Sequence, residues 1–462
     1  MDEKRQNNRY KAASESNAKG EALSNEERGD EATMVKRKDE NLASTEHILE
    51  EVLEKENLKQ ALQRVLKNKG APGVDNMKVE NLPTYLAANW QSIRDSLKNG
   101  TYQPKAVKRV EIPKPGGGKR QLGIPSVVDR FIQQALQQVL QRHWDDTFSE
   151  FSYGFRPGKS QHQAVKQAQD YVSSGLNIVV DIDLEKFFDR VNHDVLMSRI
   201  AKRVKDKRIL KLIRAYLNAG IMENGLTSPS VEGVPQGGPL SPLLSNLMLD
   251  ELDKELEARK LRFVRYADDC NIYVASQRAG ERVMQNMTKF LAKKLRLKVN
   301  EAKSAVGKPQ ARKFLGFSLT YGKSPRRRIA PTAIKTFKEK VRVLTRRKRG
   351  DNLKRIIEEL STYMRGWLNY FGFCQTPSIL QELQKWVRRK LRCIIWKRWK
   401  RGSTRFERLL KMGLSVQLAR EGAGNGSRGP WRMSASHPMQ AALSNAYFRS
   451  LGLPELQCTT NA

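Results

Sequence analysis

Cysteine is scarce in this chain. There are four in 462 residues, Cys270, Cys374, Cys393 and Cys458, far apart and with no CxxC pair. That excludes a zinc module and a disulfide framework, and it fits a reducing, cytoplasmic compartment. Histidine is nearly as rare, at five. No Ser-His-Asp arrangement stands out, and His162 and His193 read as surface or capping residues. Long apolar runs are missing. None approaches the ~20 residues that span a bilayer, and the opening "MDEKRQNNRYKAASESNAKG" has no signal-peptide core, so no membrane partner is expected. Negative charge is in deficit: 49 Asp and Glu face 85 Lys and Arg, for a net charge of +36. With a pI near 10.1, the expected partner is a polyanion, nucleic acid above all. The hydrophobic share of 39% is enough for real cores, and the length suggests three or so domains.

What is present is organised along the chain. Residues 1–43 are polar and nearly free of aromatics, the composition of a disordered lead. "NLKQALQRVLKNKG" predicts a helix with Asn57 as N-cap, Leu58, Leu62, Val65 and Leu66 as its apolar face, and Gly70 at its end. "VKRVEIPKPGGGKRQLGIP" predicts two strands around a basic glycine-rich turn. Helices are expected over "DRFIQQALQQVLQRHW", "EKFFDRVNHDVLMSRIAKRV", "SPLLSNLMLDELDKELEARK" (Ser241 as N-cap, Pro242 in the first turn) and "GERVMQNMTKFLAKKL". From about residue 331 the chain turns helical, aromatic and very basic. "LQKWVRRKLRCIIWKRWKR" sets Leu383, Val387, Leu391, Ile395 and Trp399 on one i+4 row, with Arg388, Arg389 and Arg392 off it. "REGAGNGSRGP" reads as a flexible link to a small terminal segment.

Against this basic background one acidic pair stands out. "LRFVRYADDCNIYVAS" places Asp268 and Asp269 at the tip of an expected hairpin. A lone Asp-Asp is ordinarily a solvated turn. Here "LNIVVDIDL" supplies Asp181 and Asp183, alternating onto one strand face. If that strand pairs beside the hairpin, carboxylates converge and raise one another's pKa. Divalent cations remove the conflict. Mg²⁺ takes hard oxygen ligands and leaves positions open for phosphates, and two such ions ~3.5–4 Å apart clamp an in-line phosphoryl transfer.

The blocks around these acids resemble the reverse transcriptases. "YADD" within "FVRYADDCNIYV" is similar to their active-site hairpin. "RVEIPKPGGGKRQLGIPSVVDRFIQQAL", "FSYGFRPGKS", "VVDIDLEKFFDRVNHD", "GVPQGGPLSPLLSNLMLDEL", "LKVNEAKS" and "KFLGFSL" follow in that family's order. "NKGAPGVDN" and the basic tail resemble one branch, the bacterial group II intron-encoded reverse transcriptase/maturases, over about residues 46–450. The resemblance implies an α/β (α+β) right-hand polymerase: fingers and palm with a ferredoxin-like palm, followed by an α-helical thumb. It implies a disordered lead at 1–43, an N-terminal extension at 44–105, and fingers and palm at 106–325. A helical thumb or maturase (X) domain at 326–402 and a small DNA-binding segment at 403–462 complete it.

Carried over residue by residue, the resemblance implies that Asp183, Asp268 and Asp269 are catalytic and hold two Mg²⁺ ions, with Asp181 a supporting acid. Phe188, five residues after Asp183, implies a gate against the ribose 2′-OH, or else a core aromatic. Lys114 and Arg120 imply contacts to the triphosphate, Gln236 to nucleotide and template, and Lys303 to the triphosphate. Arg388, Arg389, Arg392, Lys397 and Arg398 are the expected nucleic-acid face of the tail, while Trp367, Tyr370 and Phe371 read as thumb core. Many relatives append a zinc-bearing endonuclease. Only His437 and Cys458 after residue 401 could serve one, so the class C lineage without it is the expected match. The implied partners are group II intron RNA, an RNA template with a DNA primer, a DNA target and dNTPs, in the bacterial cytoplasm or on the nucleoid. Two other readings stay open: a decayed, purely RNA-binding splicing cofactor, and a reverse transcriptase of a retron, diversity-generating or phage-defence element.

Overall fold

Residues 45–113, 119–223, 226–228, 232–346, 352–424 and 429–459 are described by a computed structural model of the chain. The expected lead at 1–43 and the turn at 114–118 lie outside the described residues. The first helices are α1 (Ile48–Val52), α2 (Lys55–Asn68) and α3 (Leu82–Lys98). On α2, Ala61 and Val65 are buried, and Leu58, Leu62 and Leu66 pack against the same core. Asn57 is not its cap. The helix begins at Lys55, and the Asn57 amide is buried, donating to the carbonyls of Val52 (2.9 Å) and Ala135 (3.1 Å). Lys69, left-handed at φ 44°, closes the helix rather than Gly70. Gly70 instead lets the Arg130 guanidinium come close.

Strands β1 (Val107–Pro113) and β2 (Lys119–Ile124) form the expected antiparallel hairpin. Helices α4 (Val127–Trp144) and α5 (Gln161–Ser173) follow, then β3 (Ile178–Ile182). The long helix expected over 185–204 is broken into α6 (Phe187–Arg190) and α7 (His193–Ala201). Val191 is extended and its carbonyl accepts from Gly233 N, while the Asn192 side chain caps α7 at Val195 N. A side-chain cap inside a helical pattern restarts the helix. Next come α8 (Lys207–Asn218), β4 (Ile221–Glu223), β5 (Leu226–Ser228) and α9 (Ser241–Ala258). Ser241 is already helical, and its hydroxyl donates to Pro235 O (2.6 Å) instead of capping. The first sheet runs β2-β1-β4-β5.

A second sheet is built from β6 (Arg262–Tyr266), β7 (Asp269–Val274), β3 and β8 (Ala305–Gly307), with α10 (Gln277–Phe290) between β7 and β8. Its order is β6-β7-β3-β8, with every neighbouring pair antiparallel. Numbered within the unit this is 2-3-1-4, the ferredoxin-like order expected of the palm. Gly280 brings α10 down onto this sheet, because a Cβ there would lie 2.5 Å from Val306 Cγ1.

Beyond β9 (Phe317–Leu319) and β10 (Arg327–Ile329) the chain is helical: α11 (Pro331–Leu344), α12 (Leu353–Phe371), α13 (Pro377–Arg398), α14 (Gly402–Lys411) and α15 (Val416–Ala423). Leu383, Val387, Leu391 and Ile395 of α13 are buried, as their spacing predicts. The last helices, α16 (Gly429–Met433), α17 (His437–Ala442) and α18 (Asn445–Ser450), share that core through Met439, Leu443 and Phe448. The terminal segment is therefore packed on the helical part, while residues 425–428 of the expected link lie outside the described residues. Cys374 and Cys458, 84 positions apart, come within 3.8 Å at their sulfurs because the chain end returns and Thr459 N donates to Gly372 O. No described helix is long and apolar enough to cross a membrane.

Candidate active site

The hairpin register pairs Tyr266 with Asp269, leaving Ala267 and Asp268 as a two-residue turn. Such a turn needs a positive φ, and Ala267 adopts one, at 57°. On the other side of β7, β3 pairs Ile182 with Cys270 and Asp181 with Asn271. One residue further, Asp183 reaches the level of Asp269. The sheet thus brings Asp183, Asp268 and Asp269 to one end, from strands about 85 residues apart in sequence.

The electrostatics follow from that crowding. Lost hydration in the cleft, and then the charges of Asp268, Asp181 and Asp183, push the Asp269 carboxyl up to about 6, although its side chain still opens to solvent. Burial also raises Asp181, but Arg312 opposes the rise, its Nη2 and Nε donating to Oδ2 at 2.6 and 3.1 Å. Asp181 is thereby taken up by Arg312. Lys303 Nζ stands 3.5 Å from both carboxylate oxygens of Asp183. Ser304 Oγ accepts from Asp183 N at 2.9 Å, which fixes the end of β3.

Among the described residues, no three or more His, Cys, Asp or Glu side chains are drawn together closely enough to hold a metal ion by themselves. Mg²⁺ does not ask for such a cage; it binds through one or two carboxylates, its waters and substrate phosphates. The donor chemistry fits: hard oxygens, mutually repelling, with one proton affinity already raised.

A cleft of about 540 Å³ is lined by Phe188, Gln236, Gly237, Phe155, Arg130 and Leu122 among others. Phe188 is half-buried, its ring 5.2 Å edge-on from Phe187, and it also faces the cleft. Gln236 Nε2 donates to Asp189 Oδ1 (3.2 Å), and Gln236 O accepts from Gly123 N (2.9 Å). Gly237 is required there: its φ is 135°, and a Cβ would lie 2.6 Å from Gly123 O. The "PQGG" loop therefore joins β2 to α6. Lys114 lies outside the described residues. Arg120 is placed only by register, opposite Ile112 on β2.

The basic tail is arranged differently from the sequence expectation. Arg392 is buried, its Nε donating to Leu443 O (3.0 Å) and its guanidinium standing 5.7 Å from the Phe448 ring centre. Arg389 stacks over Trp431 at 4.1 Å and donates to its carbonyl, and Arg388 pairs with Glu455 at 3.5 Å. These three hold the terminal segment on α13, because the helices after 429 cover the side of α13 that bears them. Lys397 and Arg398 are exposed. Trp367 is buried, and Tyr370 and Phe371 pack beside it, as thumb core. His193 is not a surface residue; it is buried with Nε2 2.7 Å from Gly233 O. His162 stacks on Phe373 at 4.4 Å. Sequence reasoning missed Arg312 and Phe155. Arg312 meets its partner across 131 residues, with no local signal.

Residues 112–319 match the family described as reverse transcriptase (RNA-dependent DNA polymerase). Residues 334–413 match the group II intron, maturase-specific domain. The chain is 40% identical over 222 residues to protein YkfC of Escherichia coli (strain K12), covering 47% of this chain and 58% of that protein. It is 36% identical over 206 residues to the group II intron-encoded protein LtrA of Lactococcus lactis subsp. cremoris, covering 44% of this chain and 34% of that protein. The matches thus span between about a third and three-fifths of these relatives' own length.

Proposed function

We propose, from the matches to the reverse transcriptase family over residues 112–319 and to the group II intron maturase-specific domain over 334–413, that the chain is an RNA-directed DNA polymerase that also binds intron RNA. It extends a DNA primer on an RNA template with dNTPs, assists splicing of its group II intron, and carries the intron into a DNA target. The observation that carries this reading is the sheet register that sets Asp183 level with Asp269; a cleft lined by Phe188 and Gln236 adds to it. Two Mg²⁺ ions, when bound at Asp183, Asp268 and Asp269, supply charge neutralisation at the attacking and leaving oxygens. The chain's own residues do the rest. Phe188 crowds the ribose 2′ position and selects deoxynucleotides. Gln236, fixed by Gly123 and Asp189, meets nucleotide and template. Lys114, Arg120 and Lys303 take the triphosphate charge. Lys397 and Arg398 lie on the nucleic-acid face.

The proposed division is an extension at 44–105, fingers and palm at 106–325, thumb at 326–402 and a DNA-binding segment at 403–462. The working compartment is the bacterial cytoplasm, with nucleoid association during integration. The test is incorporation of dNTPs on a primed RNA template. Wild type should extend in Mg²⁺. Asp183→Ala should not, while its RNA affinity by filter binding stays within about threefold, since the loss is of chemistry and not of phosphate contacts. Extension by Asp183→Ala at the wild-type rate would remove the site assignment.

A further inference from the structure

Arg265, three residues before Asp268, is the largest fully buried side chain among the described residues. Its guanidinium makes five hydrogen bonds. Nε and Nη2 donate to the two carboxylate oxygens of Asp253, at 2.7 and 2.6 Å. Nη1 donates to Asn246 Oδ1 (3.1 Å) and to Ala267 O (2.9 Å), and Nη2 also donates to Ser152 Oγ (2.7 Å). All five N–H donors of an arginine are matched. The acceptors come from α9, from the 149–154 segment and from the turn itself.

The backbone repeats the arrangement. Arg265 N donates to Phe151 O, and Tyr153 N donates to Arg265 O, so the 149–154 segment runs alongside β6. Gly154 then passes beneath the turn, where a Cβ would lie 2.3 Å from Ala267 N. Its carbonyl accepts from Asn246 Nδ2 at 2.7 Å. The turn held this way is a strained one, because Ala267 carries a Cβ at a φ of 57°, a conformation that persists only when its surroundings impose it. Stability alone does not account for the arrangement, since a buried ion pair is often replaceable by apolar residues without loss. The fork on Asp253 fixes the guanidinium plane, and one of the three remaining donors of that plane fixes the peptide that leads into Asp268.

We propose that Arg265 is a positioning residue for the polymerase reaction: anchored on Asp253, it holds the Ala267 carbonyl and so sets the direction of Asp268. It touches no substrate. The inference rests on the polymerase reading above. Lysine keeps the charge but has no planar fork and cannot reach four partners at once.

The test uses the full chain and three readouts: single-nucleotide extension kinetics on primed RNA, thermal melting, and hydrogen exchange of the 262–274 stretch. Arg265→Lys should keep its circular dichroism and RNA affinity. Its kcat should fall by up to about 100-fold, the cost of roughly an ångström of misplacement, with KM for dNTP within about threefold. The hairpin amides should exchange faster. Adding Ala267→Gly, which removes the φ penalty, should recover about tenfold of the lost kcat, a non-additivity expected only of groups acting on one turn. A wild-type kcat for Arg265→Lys, or a loss that follows its melting temperature and is not recovered by glycine, overturns the proposal. Should Arg265→Lys not fold, Asp253→Asn carries the test, because it keeps the shape and removes the charge and one of the two acceptors facing the fork. Lowered kcat at steady KM supports the proposal, and a wild-type kcat overturns it. A wild type that fails to extend defeats the polymerase reading instead; in that case unchanged hairpin exchange in Arg265→Lys still overturns the positioning role, and faster exchange supports it.

Discussion

Asp269 is held above its ordinary value of 3.8, at about 6, by lost hydration and by the neighbouring acids. In metal-free protein the folded state therefore keeps this proton over roughly pH 4–6, where the unfolded chain has released it. The folded state binds more protons than the unfolded state in that window, so this group's contribution to stability falls as pH rises through it. Melting in EDTA should show Asp269→Asn gaining on wild type as pH goes from about 4 to above 6. A difference that stays flat across that range would mean that neither burial nor the neighbouring acids raise this carboxyl. Phe188→Ala should raise ribonucleotide over deoxynucleotide incorporation; an unchanged ratio would make the ring packing only. The gathering of Asp183, Asp268 and Asp269 at one sheet end was legible in the sequence because each sits in a short block with its spacing intact. Asn57, Arg312 and His193 were not. What decides their roles is an acceptor far along the chain: Ala135 O, Asp181 and Gly233 O.

At the scale of elements, periodicity gave the strands and long helices, since burial on one face repeats every two or 3.6 residues. It did not give the break at Val191 and Asn192, where a local cap and a bond from Gly233 outweigh helical propensity. Nor did it give the cover on α13. An arginine off an apolar row looks solvated until a later segment is laid over it. Arg392 is the plainest case, and its replacement should act on stability. Arg392→Ala should cost roughly 1–3 kcal/mol in a thermal or urea melt, the range for a buried charged donor leaving its acceptor unpaired. The salt dependence of RNA binding should not change. Lys397→Gln should do the reverse, leaving the melt alone and lowering the salt slope of RNA affinity by about one. If Arg392→Ala melts like wild type and lowers the salt slope, the arrangement of the tail is wrong.

For the whole molecule, the net charge of +36 and the acidic sheet end are two parts of one device. On the proposed reading, positive charge spread over the chain would hold phosphate backbones, and the few gathered carboxylates would act on one phosphate at a time. The two roles lie on different elements, so they should separate. Asp268→Ala should still promote splicing of the cognate intron in a time course at near-physiological Mg²⁺; failure to splice with normal RNA binding would contradict the separation. The most direct test of the polymerase centre itself is the single-turnover rate of Mg²⁺-dependent primer extension on RNA by Asp268→Asn, a change of one atom that keeps the size of the side chain. The expected result is a fall of at least about 10³-fold with the affinity for primed template unchanged, as for loss of a group used only in the chemical step. A rate within tenfold of wild type would contradict the assignment of this hairpin as the catalytic centre.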